Sequence, residues 1–370
     1  MNVHIYYGGL SGFRTMIKDI DDYMPLVDLV LKDDAKHRDI KLDVEGNRIR
    51  KDEDLESYQC VIAFSEDYSS FTESFIESFI TFLFRYRIDD LYLQNPPNSI
   101  TKRIKQYSSI KCEVIERKYQ TLGIEELKKL KEGFPQTVIG QGRAQNQILS
   151  ALYNVAKGRY NKPCVLLFYG STGIGKTETA KFIADTLEEK LFRKQFSMLH
   201  SEAFSSYIFG GKHNENSFAR ELLERESNVV LLDEFDKPHP VFHSAFYQLF
   251  DEGIYEDKNY IVSMGSSIII CTSNFMSEKE IKAALGEPIY SRFDAVIKFD
   301  KLDRNAIGTI IRKEYNKQFE ELDEDEKKVI EQSGIKDAIF GLVDRLDNAR
   351  QIRRVIREAM STILINKMVE

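Results

Sequence analysis

The chain has 370 residues, 42% hydrophobic and 30% charged, a balance that fits a folded protein of two or three domains and argues against wholesale disorder. Lys and Arg number 52 against 59 Asp and Glu; the net charge of -7 supplies no general pull toward nucleic acid or anionic lipid. No apolar run approaches the ~20 residues of a membrane helix, and the opening MNVHIYYGGL has no basic stretch followed by an apolar one, so no secretory signal is expected.

In chain order, Val3 to Tyr7 reads as a strand ending in the turn Gly8-Gly9. Gly8, Gly9 and Gly12 lack a full phosphate-binding fingerprint, which leaves them as a plain turn. Gln59 to Phe64 is a second strand, and Phe71, Phe75, Ile76, Phe79 and Leu83 then recur at helical spacing. Leu91 to Leu93 and Lys111 to Ile115 are further strands, separated by Asn95-Pro96-Pro97-Asn98 and a Lys-rich helix. Alternation of this kind predicts a small α/β domain over residues 1–130 with a largely parallel sheet. Gly123 to Gly133 reads as a charged helix that Phe134-Pro135 should break, and the first boundary is drawn there.

Beyond it, Cys164 to Tyr169, Val229 to Leu232 and Ile268 to Thr272 are continuous apolar runs, the pattern of parallel strands covered by helices on both faces. Residues 131–300 are therefore assigned to an α/β domain and residues 301–370 to a small all-helical one. There Ile352, Val355, Ile356, Met360, Ile363 and Leu364 form a helical stripe, and the acidic run Glu320 to Glu326 reads as a solvated helix start. The four cysteines (Cys60, Cys112, Cys164 and Cys271) form no CxxC pair and sit among aliphatic residues, as expected of buried reduced thiols in a cytoplasmic protein.

Gly170-Ser171-Thr172-Gly173-Ile174-Gly175-Lys176-Thr177 has the spacing G-x-x-x-x-G-K-[ST] between a buried strand and an amphipathic helix. The glycines permit a tight loop whose N–H groups turn toward phosphate oxygens, with the helix N-terminus aimed at the same point. Lys176 is placed to reach the β- and γ-phosphates of ATP and Thr177 to ligate Mg²⁺, with Glu178 next in the nucleotide-binding run. The strand Val229 to Leu232 delivers Asp233 and Glu234 to the ligand-bearing end of the sheet. Asp233 is suited to hold Mg²⁺ through water and Glu234 to orient and polarise the attacking water.

From about Phe134 onward the chain resembles a Clp-type AAA+ ATPase module, most of all the second ATPase ring of the Clp unfoldases. Val138-Ile139-Gly140-Gln141 is similar to the segment lining the adenine pocket. Asp233 to Pro240 resembles the D-E-[apolar]-E-K-x-H-P run, in which His239 is read as a structural turn residue. Ile269 to Asn274 resembles the sensor-1 strand, Tyr290-Ser291-Arg292-Phe293-Asp294 the arginine-finger segment, and Asn348-Ala349-Arg350 the G-A-R sensor-2 motif. Asn348 stands where the family has Gly, a departure that a left-handed backbone would tolerate.

The resemblance implies a P-loop large domain with a helical lid, an oligomer (most simply a hexamer), and hydrolysis of Mg-ATP. Asn274 would position water, Arg292 would complete a neighbour's site, and Arg350 would read the γ-phosphate from its own lid. Tyr207-Ile208-Phe209-Gly210 aligns either with the family's polypeptide-gripping pore loop or with the segment just upstream, in which case that loop is deleted. Tyr255 is the candidate gripping residue of a second loop. The span from Asn274 to Arg292 has no Ile-Gly-Phe-like tripeptide, so no docking on the family's peptidase is expected. Residues 1–130 match no known adaptor of the family and are expected to recruit a protein partner that the ring remodels or dismantles. The alternative is an ATP-gated switch or scaffold that does not thread polypeptide, as in torsins and some transposition or defence ATPases.

Overall fold

The computed structural model describes residues 1–40, 55–198 and 202–369. The chain forms two compact units. The first comprises Met1–Tyr119 together with Leu199–Glu226 and Gly253–Met264, and the second comprises Gln120–Met198, Ser227–Glu252 and Gly265–Glu370.

The first unit is built on a five-stranded sheet of β1 (Asn2–Tyr7), β2 (Met24–Pro25), β3 (Ser57–Ala63), β4 (Arg87–Gln94) and β5 (Lys111–Glu116), in the order β2-β3-β4-β1-β5. All pairings are parallel. Alternate residues supply the two faces. Val3, Ile5, Val61 and Ala63 pack with Phe79 and Leu83 of the helix Glu73–Leu83, while Tyr6, Cys60 and Ile62 pack with Phe13 on the other face. Thr72 caps that helix by accepting a hydrogen bond from the Phe75 amide. After β1 the chain turns at Gly8 (φ +154°), where the buried Asn95 side chain accepts from the Gly8 amide at 2.9 Å and donates to its carbonyl at 3.0 Å. The Gly8-Gly9 turn is thus held by a side-chain amide.

The second unit carries another five-stranded parallel sheet. In chain order the remaining strands are β6 (Cys164–Tyr169), β7 (Phe192–Gln195), β8 (Val229–Asp233), the hairpin β9 (Ile254–Glu256) and β10 (Ile261–Ser263) that belongs to the first unit, then β11 (Ile268–Ser273) and β12 (Ala295–Lys298). The sheet order is β12-β6-β11-β8-β7. One hydrophobic core runs from Leu166 and Phe168 of β6 through Ile183 and Ala184 to Ile311, Ile352 and Ile356 of the C-terminal helices. These helices include Arg304–Glu320, Glu324–Gln332 and Ala349–Val369. The acidic stretch spans a junction, not a helix start throughout: Glu320 ends the helix Arg304–Glu320, while Asp323 caps the helix Glu324–Gln332 and Glu326 returns the bond.

Three other expectations differ from the structure. The helix Ile124–Thr137 is not broken at Phe134-Pro135 but runs through Pro135, so the division between units falls between Tyr119 and Gln120 rather than at 130/131. Pro135 removes the amide that would have bonded the Lys131 carbonyl, and the Gln145 side chain supplies the replacement donor at 2.7 Å. Residues 131–300 and 301–370 do not separate, because the lid shares the core of the larger sheet, and two later stretches join the first unit. Finally, Cys60, Cys164 and Cys271 are buried, but Cys112 on the edge strand β5 is only partly covered.

Candidate nucleotide site

The site is built at the C-terminal ends of β6, β8 and β11. Between β6 and the helix Lys176–Thr186, Gly170, Gly173 and Gly175 have φ of +133°, +75° and +110°, a left-handed backbone that strains any other residue. Room is also short: a Cβ on Gly170 would stand 2.6 Å from the Phe299 carbonyl oxygen, and one on Gly175 would stand 2.9 Å from Val138. The buried Gln141 staples this loop, donating to the carbonyls of Ile174 (3.1 Å) and Asp300 (2.8 Å) and accepting from the Asp300 amide.

Lys176 is buried, and its ammonium donates to the carbonyls of Gly170 (2.5 Å) and Ser171 (2.8 Å) and to Asn274 Oδ1 (3.2 Å). Burial pushes its pKa down to about 8, against the opposing attraction of Asp233 and Asp236. An anion beside the ammonium would offset that desolvation.

At the end of β8, Asp233 Oδ2 accepts from Arg193 on β7 (Nη2 at 2.5 Å, Nε at 3.2 Å) and Oδ1 accepts from the Thr272 hydroxyl. The same hydroxyl accepts from the Glu234 amide at 2.9 Å, so Thr272 fixes both acidic residues. Glu234 stands at φ +56°, a strained backbone for a residue with a Cβ. Its carboxylate accepts from Asn274 Nδ2 (3.3 Å) and Gln195 Nε2 (3.4 Å). Two residues on, the Asp236 side chain is 1% exposed, and neither of its carboxylate oxygens has a hydrogen-bond partner; the Lys237 ammonium is 3.5 Å away.

Lys176, Arg193, Gln195, Asp233, Glu234 and Asn274 face a cleft of about 610 Å³. The structure brings Val138, Ile139, Thr172, Gly173, Ile174, Gly175, Lys176, Thr177, Glu178, Asp233, Glu234, Asn274 and Arg350 to its wall. Gly170 and Ser171 are not in the wall; they serve it by holding Lys176. The helical lid closes the other side. The Ala349 amide donates to the Gly173 carbonyl at 3.0 Å, and Asn348 accepts from the Gln351 amide at 2.9 Å as the N-cap of the last helix. Asn348 is not among the residues of positive φ. Its place in the motif follows from capping, not from the left-handed backbone expected.

Arg292 lies outside the cleft wall. It donates to Asp251 (2.8 Å) and to the Pro288 carbonyl (2.5 Å), with its guanidinium 4.3 Å from the Tyr247 ring centre. His239 caps a short turn by accepting from the Val241 amide, the structural role expected of it.

Sequence reasoning missed Arg193, Gln195 and Thr272. Arg193 and Gln195 alternate on β7 and share the face turned to the acidic end of β8, a period-two signal hidden in a four-residue strand. Thr272 was read only as part of an apolar run.

The donor set fits a magnesium-bound triphosphate. Lys176, Arg193, Lys313, Lys317, Arg350 and Arg353 give the wall a cationic share suited to phosphates, and Asp233 with Thr177 supplies oxygen ligands for a hard divalent cation. Asp233, whose Oδ2 is held by Arg193, would reach such a cation through water.

The family model for the AAA domain (Cdc48 subfamily) matches residues 161–349, just over half of the chain. The chain belongs to that family. It is a Clp-type AAA+ ATPase module. The ATP-binding subunit ClpL of a Clp protease from Staphylococcus aureus (strain MRSA252) is 29% identical over 213 residues, covering 51% of this chain and 30% of that protein. The chaperone protein ClpB of Mycoplasma genitalium is 28% identical over 302 residues, covering 70% of this chain and 41% of that protein. The chain thus spans well under half the length of these curated relatives. Among solved structures, a closed-state cryo-EM reconstruction of Hsp104 with ATPγS and FITC casein aligns with a TM-score of 0.57 at 16% identity, over 100% of this chain and 88% of that one. At that identity the likeness shows the fold alone. No helix among the described residues is long and apolar enough to cross a membrane.

Proposed function

We propose that the module hydrolyses Mg-ATP in the cleft between the P-loop sheet and the lid, as a cytoplasmic homo-oligomer, most simply a hexamer. The observation that carries this reading is the convergence of Lys176, Asp233, Glu234 and Asn274 at the ends of three neighbouring strands. A bound Mg²⁺ would neutralise charge on the transferring phosphoryl group, and the protein's share is positioning. Thr177 and Asp233 would hold the metal. Lys176 exchanges its loop carbonyls for phosphate oxygens. Glu234, held by Asn274 and Gln195, aligns a water and takes its proton. Val138 and Ile139 cover the base, and Arg350 reaches the terminal phosphate from the lid. Arg292, which lies outside its own cleft, serves the neighbouring copy's site.

The work done by this cycle is the remodelling or dismantling of a protein partner engaged through the N-terminal region, residues 1–130. ClpB, which is named a chaperone, supports that reading by analogy. The second reading, a switch or scaffold that does not thread polypeptide, is favoured by one observation: Tyr255 is only 1% exposed and donates to the Ile208 carbonyl at 2.7 Å.

The test uses two variants. Glu234→Gln is expected to bind ATP and hydrolyse it roughly 10²–10⁴-fold more slowly. Arg292→Ala mixed with Lys176→Ala should recover activity that neither has alone. Wild-type turnover in Glu234→Gln would remove it as the water-activating group, and failure of the mixed rings to recover would remove the role of Arg292 in the neighbour's site.

A further inference from the structure

The two stretches that a threading module would turn toward its substrate are packed instead against the N-terminal sheet. Tyr207 lies in the helix Glu202–Phe209 and donates to Glu221 at 2.6 Å. Phe218 meets the Tyr255 ring edge-on at 5.0 Å between centroids, and the Lys258 amide donates to the Phe209 carbonyl at 3.1 Å. The expectation that Tyr255 grips a polypeptide is therefore corrected: it is the buried joint between the two inserted stretches.

Together they meet residues 1–119 at the C-terminal ends of β1, β3, β4 and β5, the edge where open parallel sheets take their ligands. After β3, Arg220 donates to the Ser65 carbonyl (3.0 Å) and the Ser69 hydroxyl (2.7 Å), while the Ser65 hydroxyl donates to Glu224. After β1, Glu226 accepts from the Ser11 amide (3.0 Å) and hydroxyl (2.6 Å), and after β5 it pairs with Arg117. A Cβ on Gly9 would stand 2.2 Å from the Glu226 carboxylate, so glycine at this position makes room for it. Further along, the buried His213 bonds the Phe71 carbonyl through Nε2 at 2.7 Å, and the Asn98 amide donates to the Asn259 carbonyl at 2.8 Å. Arg220 is 9% exposed, so its bonds are made largely out of water.

We infer that the C-terminal edge of the N-terminal sheet is the docking surface for this chain's own residues 213–226, and that the nucleotide cycle is delivered to residues 1–119 through this contact instead of to a threaded polypeptide. The covalent path is short. Glu226 is followed within three residues by β8, the strand that ends in Asp233. Any displacement of β8 when nucleotide arrives pulls on Glu226, and Glu226 holds the loops after β1 and β5. The inference deepens the second reading above and depends on nucleotide hydrolysis only for its turnover arm.

The experiment is hydrogen exchange on the full chain, first without nucleotide. Arg117→Glu should speed exchange of amides in 218–226 roughly tenfold, and Gly9→Ala, whose Cβ meets the mobile end of Glu226 and the Arg225 carbonyl, by less; adding Glu226→Arg to Arg117→Glu should restore part of the protection, because arginine cannot accept from the Ser11 amide. Unchanged exchange in both single variants would overturn the docking surface. In the second arm, Arg117→Glu, which breaks the pair with Glu226, should change ATP turnover roughly fivefold or more while fluorescent-nucleotide affinity stays fixed. Turnover that matches wild type would overturn the coupling. In the third arm, casein is the probe. Hydrolysis stimulated by casein and lost in Phe209→Ala, with 218–226 still protected, would show that the stretch grips polypeptide after all. A chain that hydrolyses no ATP would sink the proposed function and leave the exchange arm standing.

Discussion

The two units carry sheets of the same kind, five parallel strands each, and treat their C-terminal edges in opposite ways. At the first edge the loops after β1, β3, β4 and β5 are met by the chain itself: Asn95 holds Gly8, Arg220 holds the β3 loop, and Glu226 closes on Ser11 and Arg117. At the second edge the loops stand back around a cleft, Lys176 carries a depressed pKa, and the Asp236 carboxylate is buried without a hydrogen-bond partner. An edge filled by its own chain stabilises and transmits. An edge with unmet electrostatic demand binds.

The comparison breaks most severely at Lys176. Replacing it with alanine removes the buried cation that answers phosphate, and nucleotide affinity should fall roughly 100-fold or more, read by titration with a fluorescent nucleotide. Thr272→Val tests the same edge with less violence. It keeps the shape of the strand but leaves Asp233 Oδ1 and the Glu234 amide without their shared partner. We expect turnover to drop roughly tenfold to a hundredfold and the protein to lose about 1–3 kcal/mol, measured by phosphate release and urea unfolding. Turnover equal to wild type would mean that the hydroxyl does not position the acidic pair.

Asn95→Ala is the counterpart at the first edge. It removes two buried bonds to Gly8 and places alanine at φ +46°, so stability should fall by about 2–3 kcal/mol. Nucleotide affinity should remain unchanged within about twofold, since Asn95 and Gly8 belong to the first unit and the cleft residues to the second. A joint loss of both would contradict that separation.

The smallest effect is a proton. Burial lowers the Lys176 pKa to about 8, and phosphate at the ammonium raises it again. Below about pH 8 the lysine is already charged and ATP binds with no uptake there. As pH rises through 8 the free site loses its proton, so binding must take one up and affinity declines. Titration calorimetry in two buffers of different ionisation enthalpy reads this directly. Equal heats at about pH 9 would place the titration elsewhere.

Much of the architecture could be read before any coordinates. Runs such as Cys164 to Tyr169 and Ile268 to Thr272 are continuous because both faces of the strand are covered, and such runs announce themselves. The loop from Gly170 to Thr177 was equally legible, since few sequences turn backbone amides inward without glycine at those places. The unread parts depend on residues distant in sequence. Pro135 stops a helix only if nothing replaces its missing donor, and Gln145 is invisible as that replacement until the helices pack. Arg193 pairs with Asp233 across neighbouring strands, and no local pattern announces the pair. The resemblance makes Tyr255 a gripping residue, whereas the ring that meets it edge-on comes from Phe218, 37 positions earlier, and its hydroxyl donates to the Ile208 carbonyl. The division of the chain failed for a related reason, since 199–226 and 253–264 fold with residues more than a hundred positions earlier.

Glu234 adopts a backbone angle of +56°, where glycine or asparagine would rest more cheaply. Heat selection and activity selection should therefore pull this codon in opposite directions. A library screened only for thermal tolerance would enrich Gly or Asn here and return sturdier, idle molecules. Glu188 carries the same angle; on the proposed mechanism, Glu234 is the position where relaxing it would silence the reaction.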